Sequence, residues 1–380
     1  MVEHYPQDIE PSGRDLRAYT DDLRSKHPLV RNVLDEWVLL HHADVVRAAM
    51  DTQTFSSAVS RYVQIPNGLD GARHTAVRAV LDTFLSKEAI APFVNNFAQI
   101  AKDIVARLPA KVEAVADIGT RFAVRAQSAW LGWPESLEPV LVQWVAHNHD
   151  AARSGNQRQL AAVASEFDSI IIRLLNERRD ASVSGDLTSR LLQVEIDGER
   201  LSDEEVVSVL RNWTGGDLGS IALCIGVLVY ALANDAGLQD MLRAEQRDEC
   251  FDGMMDEILR SDDPFTSNRR ITSCPVHIAG VDIPAGAKVK LHWTSANRDE
   301  RVFSRPDQLN PHQNSGQNLV YGVGPHACPG RLLATTELRI IIRALLQDTT
   351  SVTLDPKQLP VREVTPVGGW ARVPVCLYRE

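Results

Sequence analysis

The sequence predicts a mainly α fold with small β-sheets, the α+β class. Three observations predict it. Apolar residues recur at intervals of three and four through several long stretches, as amphipathic helices require. Short apolar runs bounded by Gly and Pro gather near residues 28–40 and 276–293, where strands of a few residues fit. No Ser/Gly/Pro-rich linker, low-complexity tract or repeat divides the 380 residues. Residues 1–380 therefore read as a single domain, although length alone admits two or three.

In chain order, two strands are expected around Leu29-Val30 and Trp37–Leu40, then a helix with Asp44 as its N-cap. Phe55 to Gly71 carries Pro66, Asn67 and Gly68 and reads as a loop. In the helix after it, His74 and Arg78 stand four apart on one face, a pair of donors suited to a dianion. Residues 86–131 read as helical, with Phe93, Phe97, Ile100, Ile104 and Leu108 forming one apolar stripe and Pro134 ending the region. Two amphipathic helices follow at 136–154 and 158–179, hinged at Ser154-Gly-Asn156.

Ser202 and Glu205 form a capping-box pattern that opens a long helix running to about Ala233. Its middle, Thr214-Gly-Gly-Asp-Leu-Gly-Ser220, holds three glycines, each costing about 1 kcal/mol against alanine. Close approach of a ligand explains that cost, and the polar Asp217 inside an apolar helix points the same way. A structural kink is the alternative. Glu257 and Arg260, three apart on a helix over 252–261, can pair. Arg270 comes next, then strands from Val276 to Gly286 and Lys288 to Trp293, and then Ala296-Asn-Arg-Asp299.

Composition excludes several classes. A net charge of −10 argues against general nucleic-acid binding while leaving room for a local basic face toward an acidic partner. The polar, acidic start Met1–Asp8 shows no signal peptide. The longest apolar run, Ile221 to Ala233, falls short of the roughly 20 residues that a bilayer demands. A cytoplasmic protein off the membrane is the expectation. The five scattered cysteines, Cys224, Cys250, Cys274, Cys328 and Cys376, form no Cys-x-x-Cys and suit a reducing compartment.

One cysteine stands apart. Cys328 lies in Asn318–Gly330 with Tyr321, Gly322, Gly324, His326 and Gly330, immediately before a strongly helical segment. Glycines let backbone approach a flat ligand closely, and the helix N-terminus favours a thiolate. A single thiolate suits an axial iron ligand better than a four-ligand zinc site. The bland alternative is a Gly-rich turn with a buried cysteine.

The spacing aromatic-Gly-x-Gly-x-His-x-Cys-x-Gly resembles the haem-binding loop of the cytochrome P450 superfamily, and the preceding order Glu257-x-x-Arg260, Arg270, Ile283-Pro-Ala-Gly286, Ala296-Asn-Arg-Asp299 is similar as well. The resemblance spans nearly all of the chain from residue 28. It implies a triangular helical prism around a buried haem b (iron-protoporphyrin IX), with Cys328 as the metal ligand. His74, Arg78, Arg270 and His326 would contact the propionates, with Tyr321, Gly322 and Gly330 also on the cofactor side. Glu257 and Arg260 would form a buried structural pair.

The implied activity is a monooxygenase using O2, a small organic substrate, and a ferredoxin-like electron donor with its reductase. By the same placement, the pocket takes Arg61, Tyr62 and Val63 from the 56–70 loop and Leu210, Thr214 and Leu218 from the central helix. Phe265, Thr266 and the Gly368–Trp370 turn complete it. Three departures stand out. Tyr321 replaces a usual phenylalanine, and its hydroxyl needs a partner. Gln308 occupies about the place of an arginine that completes the Glu/Arg network. Leu218 replaces the alcohol that, with the acid at Asp217, relays protons to the oxygen under activation. The reading adopted is that Asp217 delivers protons through water, assisted by Thr214. A peroxide-driven peroxygenase or atypical haem enzyme is the alternative within the class, and a non-catalytic haem-binding protein the alternative outside it.

Overall fold

The computed structural model describes residues 4–5, 15–32, 34–180, 185–364 and 367–380, without the side chains of 4, 5, 180, 215 and 217. Helices dominate, and they pack around the central helix Asp203–Asn234. Ser202 Oγ accepts from the Glu205 amide while the Glu205 carboxylate accepts from the Ser202 amide, so the capping box forms as expected. By length and composition this helix could cross a membrane, and 71% of its apolar window is buried inside the protein. Its faces are covered by other helices rather than left for lipid.

The central helix comes unusually near its neighbours. A Cβ on Gly119 would lie 2.8 Å from Ala222 Cα, and one on Gly226 would lie 2.6 Å from Val115 Cγ2. These glycines let the turn Ala114–Thr120 seat against the helix backbone. That turn also corrects the expectation of continuous helix over 86–131. The helix Val94–Val105 ends before Pro109, and Lys111–Glu113 becomes a strand before helix resumes at Arg121–Leu131. Of the apolar stripe, Phe97 and Ile104 are buried and Phe93, Ile100 and Leu108 half-buried. The helix after Trp37–Leu39 begins at His42 with His41 at the cap, so Asp44 sits in its first turn, where its charge faces the helix dipole.

Two sheets flank the helices. A six-stranded sheet runs His4–Tyr5, Leu29–Asn32, Trp37–Leu39, Lys288–His292, Ser267–Thr272, Phe55–Ser56. A three-stranded sheet joins Ser351–Leu354, Pro374–Tyr378 and Lys111–Glu113. The pair of helices after Pro134 spans Glu138–Ser154 and Gln157–Asp180, with Gly155 in the left-handed region at the hinge.

The helix Asp248–Ser261 carries a buried ion pair. Glu257 and Arg260 are 1% and 0% exposed, 2.8 Å apart on the helix Asp248–Ser261. The network ends in neutral donors where an arginine was the usual partner. Asn310 N–H and Asn314 Nδ2 donate to Glu257 Oε1, and Arg260 donates to the carbonyls of Asn297 and Pro306. Gln308 stays exposed.

Two outcomes follow. Replacing Arg260 with leucine strands a buried carboxylate, so unfolding free energy should drop by about 3–5 kcal/mol, read from denaturant midpoints. An unchanged midpoint would exclude the network as a structural keystone. His292 is the second. Burial, with Lys290 and Arg24 nearby, holds it at about 3 against an ordinary 6.5, and its neutral Nδ1 accepts from Ser295 N. The unfolded chain therefore takes up this proton first. Its contribution is intact above pH 6.5 and is lost as pH falls toward 3. His292→Asn, which keeps an acceptor, should flatten the stability profile across that window.

Candidate active site

The cysteine loop is a tight, self-bonded turn. Gly322 N–H donates to Leu319 O at 2.8 Å, Ala327 N–H to Gly324 O at 3.0 Å and Cys328 N–H to Tyr321 O at 2.8 Å. Gly322 and Gly324 take φ of 69° and 80°, conformations in which a Cβ is strained. Gly324 also lies so near the helix His42–Met50 that a Cβ would stand 2.9 Å from Ala49 O. Gly330 caps the helix Arg331–Asp348, so Cys328 sits two residues ahead of a helix N-terminus with its side chain exposed.

Tyr321 is half-buried against the core, and its hydroxyl lies 3.1 Å from Thr335 Oγ1, the partner that the sequence demanded. Burial, with the Asp256 carboxylate near, pushes the phenol well above its ordinary range, so it stays neutral.

A second group of side chains adjoins the loop. His74 and His326 lie against one another, ring centroids 4.1 Å apart and planes tilted by 39°. His326 Nε2 reaches Ser57 Oγ at 3.0 Å and Asp70 Oδ1 at 3.3 Å. Arg270, 6% exposed, donates one bond to Arg269 O, and its Nε has no hydrogen-bond partner, as is true of His74 Nε2. Burial pushes all three bases down. The neighbouring Arg270 and His74 help to hold His326 at about 4, against the opposing Asp70. Two histidines and a guanidinium thus share one carboxylate. A ligand with two carboxylates would satisfy the orphaned donors, so the residues fit the propionate edge of a haem.

Arg78 behaves differently from its helical neighbour. Its Nε pairs with Asp82 at 2.7 Å and its Nη1 donates to the Pro325 and Ala327 carbonyls, which braces the cysteine loop against the helix Gly71–Leu81.

On the central helix, Leu210, Thr214 and Leu218 are all buried in the packed core. The Thr214 hydroxyl donates to Leu210 O at 2.6 Å, leaving only its lone pairs for another partner. Gly216 is exposed, and a Cβ there would meet nothing within 4 Å, so the open side of the helix passes through this residue. The Asp217 side chain lies outside the described residues.

The loop over 60–69 faces the first turn of the central helix across an open cavity of about 560 Å³. Ser208 holds Ile65 N and Val63 O, and Asn212 holds Ile65 O, so the loop is tied to that helix. Arg61 and Tyr62 stand exposed at the mouth, stacked on one another, while Val63 packs on the core. Trp370 is 6% exposed between Tyr230 and Arg362, and its indole N–H donates to Asp262. Phe265 and Thr266 pack against the Gly368 turn, where a Cβ would lie 2.5 Å from Asp263 O.

Two participants were not singled out from sequence. Asp70 directly precedes a helix, where an acid at the cap position is a visible signal. Ser57 carries no local signal, because its partner His326 is distant in the chain.

Comparison with known proteins identifies relatives of the whole chain. The profile described as Cytochrome P450 matches residues 142–368. The chain is 27% identical to the cyclomarin C epoxidase CymV of Salinispora arenicola, covering 92% of this chain and 93% of that protein. It is 26% identical to the erythromycin C-12 hydroxylase of Saccharopolyspora erythraea, covering 92% and 91%. The solved open form of cytochrome P450 Eryk from S. erythraea superposes with a TM-score of 0.87 at 24% identity, over 95% of each chain.

Proposed function

The chain belongs to the cytochrome P450 family, and on that premise we propose that it inserts one oxygen atom of O2 into a C–H or C=C bond of a small organic substrate. It is a cytochrome P450 monooxygenase, an oxidoreductase with haem b as cofactor. The two relatives named epoxidase and hydroxylase support this finer reading of the reaction. We assign electron delivery to a separate ferredoxin-like donor with its reductase, and the cytoplasm as the compartment.

One juxtaposition carries the reading. The loop that presents Cys328 also presents His326, which lies against His74 beside the buried, underpartnered Arg270. Cys328 would ligate the iron, and His74, Arg270 and His326 would hold the propionates. Arg78 would act one step back, by fixing the loop. Bound haem supplies the reductive activation of O2, which thiolate donation biases toward O–O cleavage. The protein's own part is to seat substrate over the open side of the central helix and to admit protons there. Asp217 takes the proton-delivery role in this reading, and Thr214 can accept a hydrogen bond in it.

Leu218 favours a second reading, because a packed leucine and a hydroxyl committed to Leu210 leave the usual acid–alcohol pair unassembled. Peroxide-driven oxygenation bypasses that pair. Turnover with hydrogen peroxide that outpaces turnover with a reductase system would select it.

The haem-loaded chain, reduced under carbon monoxide, should show the red-shifted Soret band of a thiolate-ligated complex, and Cys328→Ser should abolish it. An unchanged band in that variant would overturn the assignment. Arg270→Leu removes one charge-assisted contact worth about 1.5–3 kcal/mol, so haem loss to an excess of a scavenger protein should quicken by roughly ten- to a hundredfold. Unaltered loss would remove Arg270 from the propionate set.

A further inference from the structure

His149 lies on the helix Glu138–Ser154, on the side turned toward the central helix. Its Nε2 is buried and has no hydrogen-bond partner. The ring abuts Gly219, where a Cβ would sit 3.0 Å from Nε2. Position 219 thus owes its missing side chain to this imidazole. One turn earlier on the same helix stands Gly216, whose Cβ direction is open.

Two further observations locate the residue. Arg153, one turn along the same helix, pairs with Glu363 at 2.6 Å, and Glu363 N–H donates to Gly369 O. His149 therefore stands where the helix Glu138–Ser154 comes against the central helix at Gly219, one turn from the arginine that ties this helix to the Gly369 turn through Glu363. A polar atom held inside a protein without an internal partner calls for an external one.

We infer that His149 is the polar contact through which this enzyme recognises its substrate: Nε2 hydrogen-bonds a hydroxyl or carbonyl on an otherwise apolar, uncharged molecule lying against the open side of the central helix at Gly216. The inference rests on the monooxygenase reading above and names the substrate class for it. Charge decides against an anionic substrate. The carboxylates of Glu363 and Asp150 both neighbour His149, and both already engage the single Arg153 guanidinium. Burial keeps the imidazole neutral, so it offers one hydrogen bond and no charge. Val145, one turn back on the same helix, and Leu218, next to Gly219 in the chain, are apolar and buried.

The test uses the ferric, haem-loaded protein and the spectral change that marks displacement of water from iron. The probes are sterols, macrolactones, terpenoids and cyclic peptides in matched pairs with and without one hydroxyl or carbonyl, together with carboxylate counterparts. His149→Phe should weaken the oxygen-bearing member of a binding pair by about tenfold and leave its partner within about twofold. His149→Gln, which can still hydrogen-bond, should recover most of the loss. Gly219→Ala, which crowds the ring, should reproduce the defect. Equal losses for both members of each pair would show a packing role and overturn the inference. So would a preference of the wild type for the carboxylates, or no binding anywhere in the library. A thiolate-type carbon monoxide spectrum retained in every variant would show that the Cys328 assignment stands whatever becomes of His149.

Discussion

The buried pair Glu257–Arg260 is the constraint from which the cysteine loop hangs. A carboxylate and a guanidinium in a dry interior pay heavily for lost hydration unless every polar atom is met. Here each is met: Glu257 Oε1 by Asn310 and Asn314, Arg260 by Glu257 and two carbonyls. One of those carbonyls belongs to Asn297, whose side-chain oxygen accepts from Leu319 N–H at 2.8 Å. Leu319 O in turn receives the Gly322 amide, the first bond of the turn that carries Cys328. Four links thus connect a helix ion pair to the position of one sulfur. Because the ion pair cannot shift without exposing charge, the loop's origin cannot shift either.

The central helix answers a different requirement. Gly119 and Gly226 mark where neighbouring backbone and side chains press against it, Gly219 admits an imidazole, and among the described glycines of this helix Gly216 alone faces open space. The glycine cost inferred from sequence is therefore divided between packing and access. Spacing alone does not separate the two uses, since a glycine filled by a neighbour and a glycine left open look alike in a string of letters.

The same distinction governs what was legible overall. Features defined within a few residues could be read directly: the capping box at Ser202, the pairing of Glu257 with Arg260, the hinge at Gly155 and the spacing about Cys328. Features defined by distant partners could not. Arg78 was placed on the correct face, yet its guanidinium goes to carbonyls some 250 residues away. Trp370 was assigned to the pocket, but Tyr230, Arg362 and Asp262 enclose it. The break at Lys111–Glu113 arises because the strand Pro374–Tyr378 offers a ladder there, which a helical apolar period near Pro109 cannot foretell.

The two sides of the site are consequently held by unlike forces. The cysteine side is fixed by charge, by left-handed glycines and by a capped helix, all of which resist small displacements. The opposite side is held by the 60–69 loop, tied to the central helix through Ser208 and Asn212, and by the helix Glu138–Ser154, anchored by Arg153 and hinged at Gly155. A few neutral hydrogen bonds and one ion pair open at far lower free energy than a buried charge network does. Adaptation to a substrate is therefore expected above the groove and not beneath it.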